Sequence, residues 1–533
     1  MATSVAVLAI GCGKEEASAP AAPGSQPSGG EATNDVKGGV QPVSSQGSGT
    51  SKPQVKKPVD KTPLPKLAAG GGGGTGRPLW SVGFGGLHMD SPRGLAVAGD
   101  GSVYVAGYFE GATEIGGKKF EAPQIDPKDP LAAPYVKKGK MTRPTTDAFL
   151  TKITPEGKIA WARTWGGLRD DDAKGLAIAG DTIVVVGNFL DSFKLGEQGE
   201  RKSNGSDDMF VAAFSKDGDV KWVWTTGGVD TDGANTVAAT PDGGWVIGGS
   251  FSKDVAFYET KLVSRGRTDA MLIKLDRGGN LEWIKQFGGE REDTINHVAV
   301  DARGNIYVQG EFRLKSNWGG EDFIAAGASD HDLVLAKYDL NGDHLWSKRF
   351  GNPLEDTAGG IAVDPAGNIL MTGSFERSIS FGPGDDHTAK GKGDTFLARF
   401  DTDGKLEWAR SWGGTRDDVP AGIAADASGN AVIVGMFSDK MELGNDRSLE
   451  SKTPNKDIFA IKVDASGSIV WAQSWGDKDH DQGRAVAMDG KGNPYLSGLF
   501  RFTFDAVTPA LDCVRAENDP IPKADVFVVK LDR

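Results

Sequence analysis

The pattern of apolar and polar positions repeats along most of the chain. A short alternating apolar run that ends in Gly-x-Phe occurs seven times, at Gly107, Gly187, Gly249, Gly310, Gly373, Gly435 and Gly498. Each copy reads as four strand-like segments separated by tight-turn sequences such as residues 302–305. A repeat of this length indicates stacked copies of one supersecondary unit, and strand-rich copies close without open sheet edges as a propeller. We therefore predict an all-β, seven-bladed β-propeller of four-stranded antiparallel blades.

A tryptophan marks the fourth strand of every copy. The seven are Trp80, Trp161, Trp222, Trp283, Trp346, Trp408 and Trp471. They are 61 to 63 residues apart, except for a first interval of 81 that holds an insertion near residues 118–146. A large ring at one repeat position predicts a packing wedge between neighbouring blades.

The two ends of the repeat predict how the ring closes. The repeat region begins with a fourth-type strand at residues 79–84 and ends with a third-type strand at residues 524–531. We predict that the N-terminal strand completes the last blade, since this pairing leaves no free sheet edge.

The N-terminal composition is different. Residues 13–76 are rich in Ser, Gly, Pro and Ala with almost no large apolar side chains, which predicts a disordered tether. The run before it, residues 5–12, is too short to span a membrane but suits the core of a signal peptide. We therefore divide the chain into a signal-like segment (1–12), a linker (13–76) and a propeller (77–533).

Residues 8–12 resemble the lipobox of bacterial lipoproteins, although no Lys or Arg precedes the apolar run. This resemblance implies that Cys12 carries a lipid, that the protein meets a membrane only through that lipid, and that it is a cell-envelope, outer-membrane or secreted bacterial protein. The alternative is a frayed apolar N-terminus.

Charge and cysteine content exclude some classes. The net charge is -13, and an acidic surface repels phosphate backbones, so we expect no nucleic-acid partner. Cys12 and Cys513 are the two cysteines, so a disulfide framework does not hold the fold together, and the role of Cys513 is open.

A carboxylate recurs in the loop after each tryptophan strand. Its positions are Asp90, Asp171, Asp232, Asp293, Asp356, Asp418 and Asp481. In a propeller this loop joins the outer strand of one blade to the inner strand of the next, so seven carboxylates ring one face. Our first interpretation is structural, with each Asp accepting backbone N–H groups, and Ca²⁺ binding is the alternative. We expect no other metal or cofactor.

The segments from Asp301 to Phe312 and from Asp147 to Lys152 resemble the bacterial β-propeller repeats known as SBBP. This resemblance implies the seven-bladed fold and an extracytoplasmic place, without a shared activity. The hairpins that carry the tryptophans, such as residues 276–283, also look like the tryptophan-docking repeats of quinone-dependent dehydrogenases.

Loop length predicts where recognition occurs. From the signature Phe to the third-strand Asp there are 18 to 20 residues in five copies, but 38 in the first copy and 25 in the last. These two blades are neighbours across the closure, and long loops on a rigid scaffold commonly carry recognition. The candidate recognition residues are Tyr135, Lys137, Lys138, Arg143 and Arg515.

We find no catalytic constellation and expect a monomeric binding or scaffold module whose partner is an envelope protein or glycan. The alternative is a propeller enzyme, such as a quinone-type dehydrogenase, a lyase or a glycosidase. A deep axial site lined by polar residues from non-equivalent repeat positions would favour that alternative.

Overall fold

The structure is a computed structural model that describes residues 74–137, 140–141, 143–257, 260–327, 330–515 and 522–533. The predicted signal-like segment with Cys12, the linker up to residue 73 and Lys138 lie outside the described residues. Strands dominate the described chain, which contains a single 3-10 helix, Pro130–Tyr135. No helix in this part of the chain is long and apolar enough to cross a membrane.

Seven blades of four antiparallel strands form the ring, so the predicted seven-bladed propeller is confirmed; in two blades a hairpin extends the sheet to six strands. Each inner strand contacts the inner strands of both neighbouring blades, and these contacts run once around the ring. From the axis outward, blade 1 comprises Asp90–Val97, Val103–Glu110, Thr146–Ile153 and Ile159–Trp165. Blade 2 comprises Asp171–Ala179, Thr182–Phe189, Asp208–Ser215 and Val220–Thr226. Blade 3 comprises Gly233–Ala239, Trp245–Phe251, Asp269–Leu275 and Leu281–Gly289.

The remaining blades follow the same order. Blade 4 comprises Asp293–Val300, Ile306–Phe312, Asp332–Tyr338 and His344–Phe350. Blade 5 comprises Asp356–Val363, Ile369–Phe375, Asp394–Phe400 and Leu406–Trp412. Blade 6 comprises Val419–Ala425, Ala431–Ser438, Lys456–Val463 and Ile469–Trp475. Blade 7 comprises Gln482–Met488, Pro494–Phe500, Asp525–Leu531 and the N-terminal strand Pro78–Gly86.

The N-terminal strand closes the ring as predicted. Pro78–Gly86 pairs antiparallel with Asp525–Leu531, with Val82 opposite Val528. Just before this strand, the backbone N–H groups of Thr75 and Arg77 donate to the Asp532 carboxylate at 3.1 and 2.7 Å. Both ends of the repeat region therefore lie in one blade.

The loop between the second and third strands of each blade contains a short hairpin. The hairpin strands are Ala112–Ile115 with Lys118–Glu121, Ser192–Lys194 with Glu200–Lys202, Asp254–Phe257 with Thr260–Val263, Lys315–Asn317 with Asp322–Ile324, Ser378–Ser380 with Asp386–Thr388, Lys440–Gly444 with Arg447–Glu450, and Thr503–Phe504 with Leu511–Asp512. Blade 1 has a second small hairpin, Val136–Lys137 with Lys140–Met141.

These hairpins join neighbouring blades. The blade 1 hairpin pairs with the outer strand of blade 7, where Gly85 lies opposite Glu114, and the blade 4 hairpin pairs with the outer strand of blade 3. Sequence analysis expected only a loop here, because an apolar alternation of about four residues is too short to distinguish from irregular chain.

The core consists of seven apolar clusters, each formed between two neighbouring blades. The predicted tryptophan wedge is confirmed at these boundaries. The indole N–H of Trp80 donates to the carbonyl oxygen of Pro155 in blade 1 at 3.0 Å, and that of Trp346 donates to Thr402 in blade 5 at 3.3 Å. Six of the seven rings thus pack beneath the outer turn of the next blade, and the seventh, Trp471, packs against Gly76 because blade 7 has no such turn.

Candidate functional site

Two aspartates approach each other at every blade boundary. One is the ring Asp at the start of the inner strand. The other begins the third strand of the preceding blade, and its positions are Asp147, Asp208, Asp269, Asp332, Asp394, Asp457 and Asp525. A glycine lies between the two carboxyl groups: a Cβ added at Gly288 would lie 2.8 Å from Asp269 Cγ and 2.9 Å from Asp293 Oδ2. Any side chain at this position would therefore collide with the pair.

All seven ring carboxylates brace the crossover loops between blades. Oδ2 of each accepts the backbone N–H of the residue four positions earlier, as Asp90 does from Gly86 at 2.8 Å, and the seven distances are 2.5 to 3.1 Å. Asp232 also accepts the N–H of Ser252 at 3.0 Å. These bonds join the crossover to the start of the inner strand in every blade.

The paired carboxyl groups strongly disfavour full ionisation. Burial, reinforced by the second carboxyl, raises the pKa to about 7 for Asp232 and Asp293, about 8 for Asp418 and about 9 for Asp356. These pairs therefore keep protons at a higher pH than isolated carboxyl groups do. No group of three or more His, Cys, Asp or Glu side chains is placed to share an ion in the described ranges, and Ca²⁺ at the ring stays a prediction.

A second constellation lies on the axis. The inner strand of every blade has a β-bulge three residues after the ring Asp. The bulged residues are Arg93, Lys174, Asn235, Asn296, Gly359, Ala421 and Arg484. Because inner strands surround the axis and a bulge re-aims its side chain, this position brings a different residue to the axis from each blade. The three cations come from blades 7, 1 and 2, which are consecutive.

We call Arg93, Tyr108, Asp172, Lys174 and Arg484 the axial cluster. Arg93 Nε lies 3.7 Å from Asp172 Oδ2, and the Arg93 guanidinium carbon lies 5.3 Å from the centre of the Tyr108 ring. Arg484 in blade 7 interacts electrostatically with Asp172 in blade 2, and blade 1 stands between those two blades. This interaction therefore links two blades that are not adjacent in the ring.

The electrostatics of the axial cluster reflect crowded cations. Burial and the neighbouring Arg93 lower the pKa of Arg484 to about 10, and burial also lowers the pKa of Lys174. Burial raises the pKa of Asp172, although the three cations oppose this effect. The side chains of Arg93 and Asp172 are nevertheless 23% and 24% exposed, so solvent reaches them.

The insertion of blade 1 is fixed to the ring by two of the predicted recognition residues. Tyr135 is only 2% exposed, and the guanidinium carbon of Arg143 lies 5.0 Å from the centre of its ring. Both terminal nitrogens of Arg143 donate to the Asp170 carboxylate, at 3.1 and 2.6 Å. Asp170 belongs to the crossover into blade 2, so the insertion is anchored to that crossover and Tyr135 serves as a buried anchor.

Two of the other recognition candidates are exposed. Lys137 is exposed on the insertion and Arg515 is exposed in the long loop of blade 7. The two long loops meet electrostatically at Glu110, where burial raises the carboxyl pKa and Arg143 of blade 1 and Lys523 of blade 7 both oppose that rise. The structure thus brings cations of both loops near one carboxylate at the closure.

A cavity of about 620 Å³ lies at the same closure. Its apolar wall includes Phe84, Leu87 and Leu511, and its polar rim includes Glu114 and Lys119. The hairpins of blades 1 and 7 form its two sides. Leu87, in the crossover after the N-terminal strand, is 51% exposed.

Sequence reasoning identified the ring aspartates but missed their partners and the axial cluster. The third-strand Asp was visible as a second invariant repeat position. The axial cluster had a subtler signal, because one position per repeat changes from Arg or Lys to Asn, Gly or Ala while its neighbours keep the pattern.

Comparisons with known proteins agree with this architecture. Residues 282–311 and 345–374 match the β-propeller repeat family SBBP. Each matched segment runs from the outer strand of one blade to the second strand of the next. The protein is a seven-bladed β-propeller, and two of its segments match the SBBP repeat.

The chain is 24% identical over 424 residues to the regulatory protein FlaEY of Caulobacter vibrioides, covering 74% of this chain. The matched part of this chain spans 42% of the length of FlaEY. Among solved structures, Sqt1 of Chaetomium thermophilum covers 85% of this chain and 98% of its own, at 10% identity and a TM-score of 0.38. The PQQ-bound aldose sugar dehydrogenase of Streptomyces coelicolor covers 86% and 99%, at 10% identity and a TM-score of 0.32. Similarity this distant carries no argument about activity.

Proposed function

We propose that the protein is a binding module of a bacterial cell envelope, which presents the crossover face of its propeller to a protein or glycan. The observation that carries this proposal is the arrangement at the closure. The two longest loops of the ring belong to the blades that meet there, and the hairpins of these blades enclose the cavity of about 620 Å³. A concave site walled by apolar groups and rimmed by a few charged ones is typical of ligand recognition.

The anchored insertion supports the same surface. The bidentate pair of Arg143 with Asp170 and the burial of Tyr135 hold the loop against the ring. A loop ordered before binding loses less conformational entropy when a partner binds. The neighbouring crossovers also expose Leu87, Leu168 and Val229 by 51%, 39% and 66%. Three apolar side chains at one repeat position in consecutive crossovers are suited to contact with a partner.

Deletion of the insertion tests the proposal. In blade 1 the backbone N–H of Ala122 donates to the carbonyl oxygen of Gly111, and in blade 2 the backbone N–H of Ser203 donates to Asp191 in the same way. Residues 123–144 are therefore the extra segment of blade 1, and the flanking strands stay intact without them. Replacing these residues with Asn-Gly reproduces the corresponding loop of blade 2, where the backbone N–H of Asn204 donates to the Asp208 carboxylate at 3.0 Å. We expect the variant to stay folded, although it loses the Tyr135 and Arg143 contacts, and to lose the envelope components that the full chain captures in a pull-down.

Leu87→Arg is a second variant for the same surface, and it should weaken the same captures at least about tenfold by placing a charge in an apolar contact. Its matched control is Ile324→Arg, which changes a 71% exposed apolar residue on the blade 4 hairpin. Capture of every component by both the deletion variant and Leu87→Arg would refute this placement of the binding surface.

A second candidate function is catalysis at the axis. The axial cluster supports it, because Asp172 and Tyr108, from two other repeat positions, join the three cations at the bulge. Incubation of the full chain with aldoses, a quinone cofactor and a dye acceptor, and separately with chromogenic glycosides, measures this directly. Turnover that Arg484→Gln abolishes would favour the enzyme over the binding module.

A further inference from the structure

The axial cluster contains more positive than negative charge. Its cations are Arg93, Lys174 and Arg484, and Asp172 is its carboxylate; Asp207 also acts on Lys174 from farther out. Asp170 and Glu110 act on Asp172 and Tyr108 from outside the cluster, so the positive charge is local to the three residues at the bulge. Cations held close together repel one another, and an anion bound between them would relieve that repulsion.

The donors of the axial cluster are also incompletely used. The Nε atoms of Arg93 and Arg484 are buried and have no hydrogen-bond partner among the described residues. Arg93 approaches Asp172 only to 3.7 Å, which is an ion pair and too long for a direct hydrogen bond. Asp172 Oδ1 is likewise unpaired, so the cluster has both donors and an acceptor available, and a ligand with acceptor oxygens can bind the two Nε atoms.

The other blades show that the fold does not need these charges. At the same bulge, blades 5 and 6 carry Gly359 and Ala421, and blades 3 and 4 carry Asn235 and Asn296. Neutral and small residues therefore satisfy the backbone geometry of the bulge. The cations in blades 7, 1 and 2 are additions to the repeat, and a structural requirement of the strand does not account for them.

We propose that the axial cluster binds an oxyanion, held between the guanidinium groups of Arg93 and Arg484 with the ammonium of Lys174 as a third donor. The planar guanidinium group of Arg matches the paired oxygens of carboxylate, phosphate and sulfate groups. Two such groups suit an oxyanion, whether planar or tetrahedral. Tyr108 keeps the Arg93 fork in place by stacking. This site is separate from the closure cavity and does not rest on the function proposed for it.

Titration calorimetry of the full chain with inorganic phosphate, sulfate and acetate tests the proposal. We expect saturable binding of at least one of these anions with one site per chain, and a melting temperature that rises with its concentration. Absence of saturable binding for all three anions would overturn the proposal.

Charge-removing variants locate the site. Arg484→Gln and Arg93→Gln should each weaken anion binding at least about tenfold, whereas Arg484→Lys should retain part of it. The matched control is Arg416→Gln, which removes the same charge from an exposed crossover on the same face. Equal weakening by Arg416→Gln would mean that the anions respond to general surface charge, and the axial site would be rejected.

The melting temperature without added anion provides a check on folding. Because Arg484 is crowded by Arg93, we expect Arg484→Gln to melt at the same or a higher temperature than the unchanged chain in anion-free buffer.

A further titration compares the binding of glucuronate with that of acetate. Tighter binding of glucuronate would identify the acidic group of a sugar as the source of the oxyanion, and a preference for phosphate would identify a free inorganic anion.

Discussion

Individual carboxyl groups in this protein differ in chemistry according to their repeat position. Ring aspartates are buried beside a second carboxyl, whereas aspartates in the tight turns accept several N–H groups near solvent. Asp356 is 1% exposed, and its pKa is raised to about 9. Its partner Asp332 contacts Arg349 and accepts the Ala326 N–H at 3.0 Å, so Asp332 is the better placed of the two to hold the negative charge. Asp356 then holds the proton.

This assignment predicts that Asp356→Asn stabilises the propeller at alkaline pH. The folded state keeps the Asp356 proton while the unfolded chain releases it above its ordinary pKa of 3.8, so stability is lost as pH rises from about 4 to about 9. The amide is neutral at every pH, and we expect a gain of about 1–3 kcal/mol at pH 8 that disappears near pH 4. Thermal melts of both chains across this range measure the effect.

The turn residue Asp464 is the control for that variant, with the opposite sign. Burial acts against the shift, but the hydrogen bonds from Ser466 and Ser468 lower the pKa of Asp464. Asp464→Asn should therefore lose a little stability above pH 4.

Ca²⁺ binding predicts a different result: a melting temperature at pH 8 that rises with Ca²⁺ and no longer does so in Asp356→Asn.

At the scale of the element, the N-terminal strand is joined to both neighbours. It pairs with the third strand of its own blade, and it receives the hairpin of blade 1 on its other edge. The Trp80 ring packs against the outer turn of blade 1, and within its own blade the centre of the Tyr495 ring lies 5.9 Å from it. This strand is therefore as fully integrated as the outer strands of the other blades.

Trp80→Ala should consequently destabilise the ring by about 2–4 kcal/mol, which is typical of a large ring lost from a packed boundary. Trp346→Ala, the equivalent change between blades 4 and 5, should cost about the same. The neighbouring Leu79 is 45% exposed, so Leu79→Ala should have little effect. If denaturant unfolding showed Trp80→Ala to be as harmless as Leu79→Ala, closure by this strand would be wrong.

At the scale of the whole molecule, the location of the protein depends on the segment before the propeller. The predicted lipid anchor, Cys12, lies outside the described residues and stays a prediction. We expect Cys12→Ser to move the protein from the membrane fraction to the soluble fraction while its thermal melt is unchanged. Recovery of the unchanged chain entirely in the soluble fraction would contradict the anchor.

The sequence by itself determined the number of blades, their strand order and the way the ring closes. These features follow from local periodicity and turn chemistry that recur about every 61 to 63 residues, so each copy supports the interpretation of the others. The ring aspartates were predictable for the same reason, because every copy carries one at the same distance from its tryptophan.

Only the tertiary structure decided which side chains meet. Arg93 and Arg484 are nearly 400 residues apart in sequence, and they become neighbours because the ring closes and a bulge turns both toward the axis. The pairing of Asp332 with Asp356 likewise depends on the packing of two blades, as does the attachment of each hairpin to the preceding blade. Contacts between copies depend on how the copies are packed, and a repeat pattern describes only what happens within each copy.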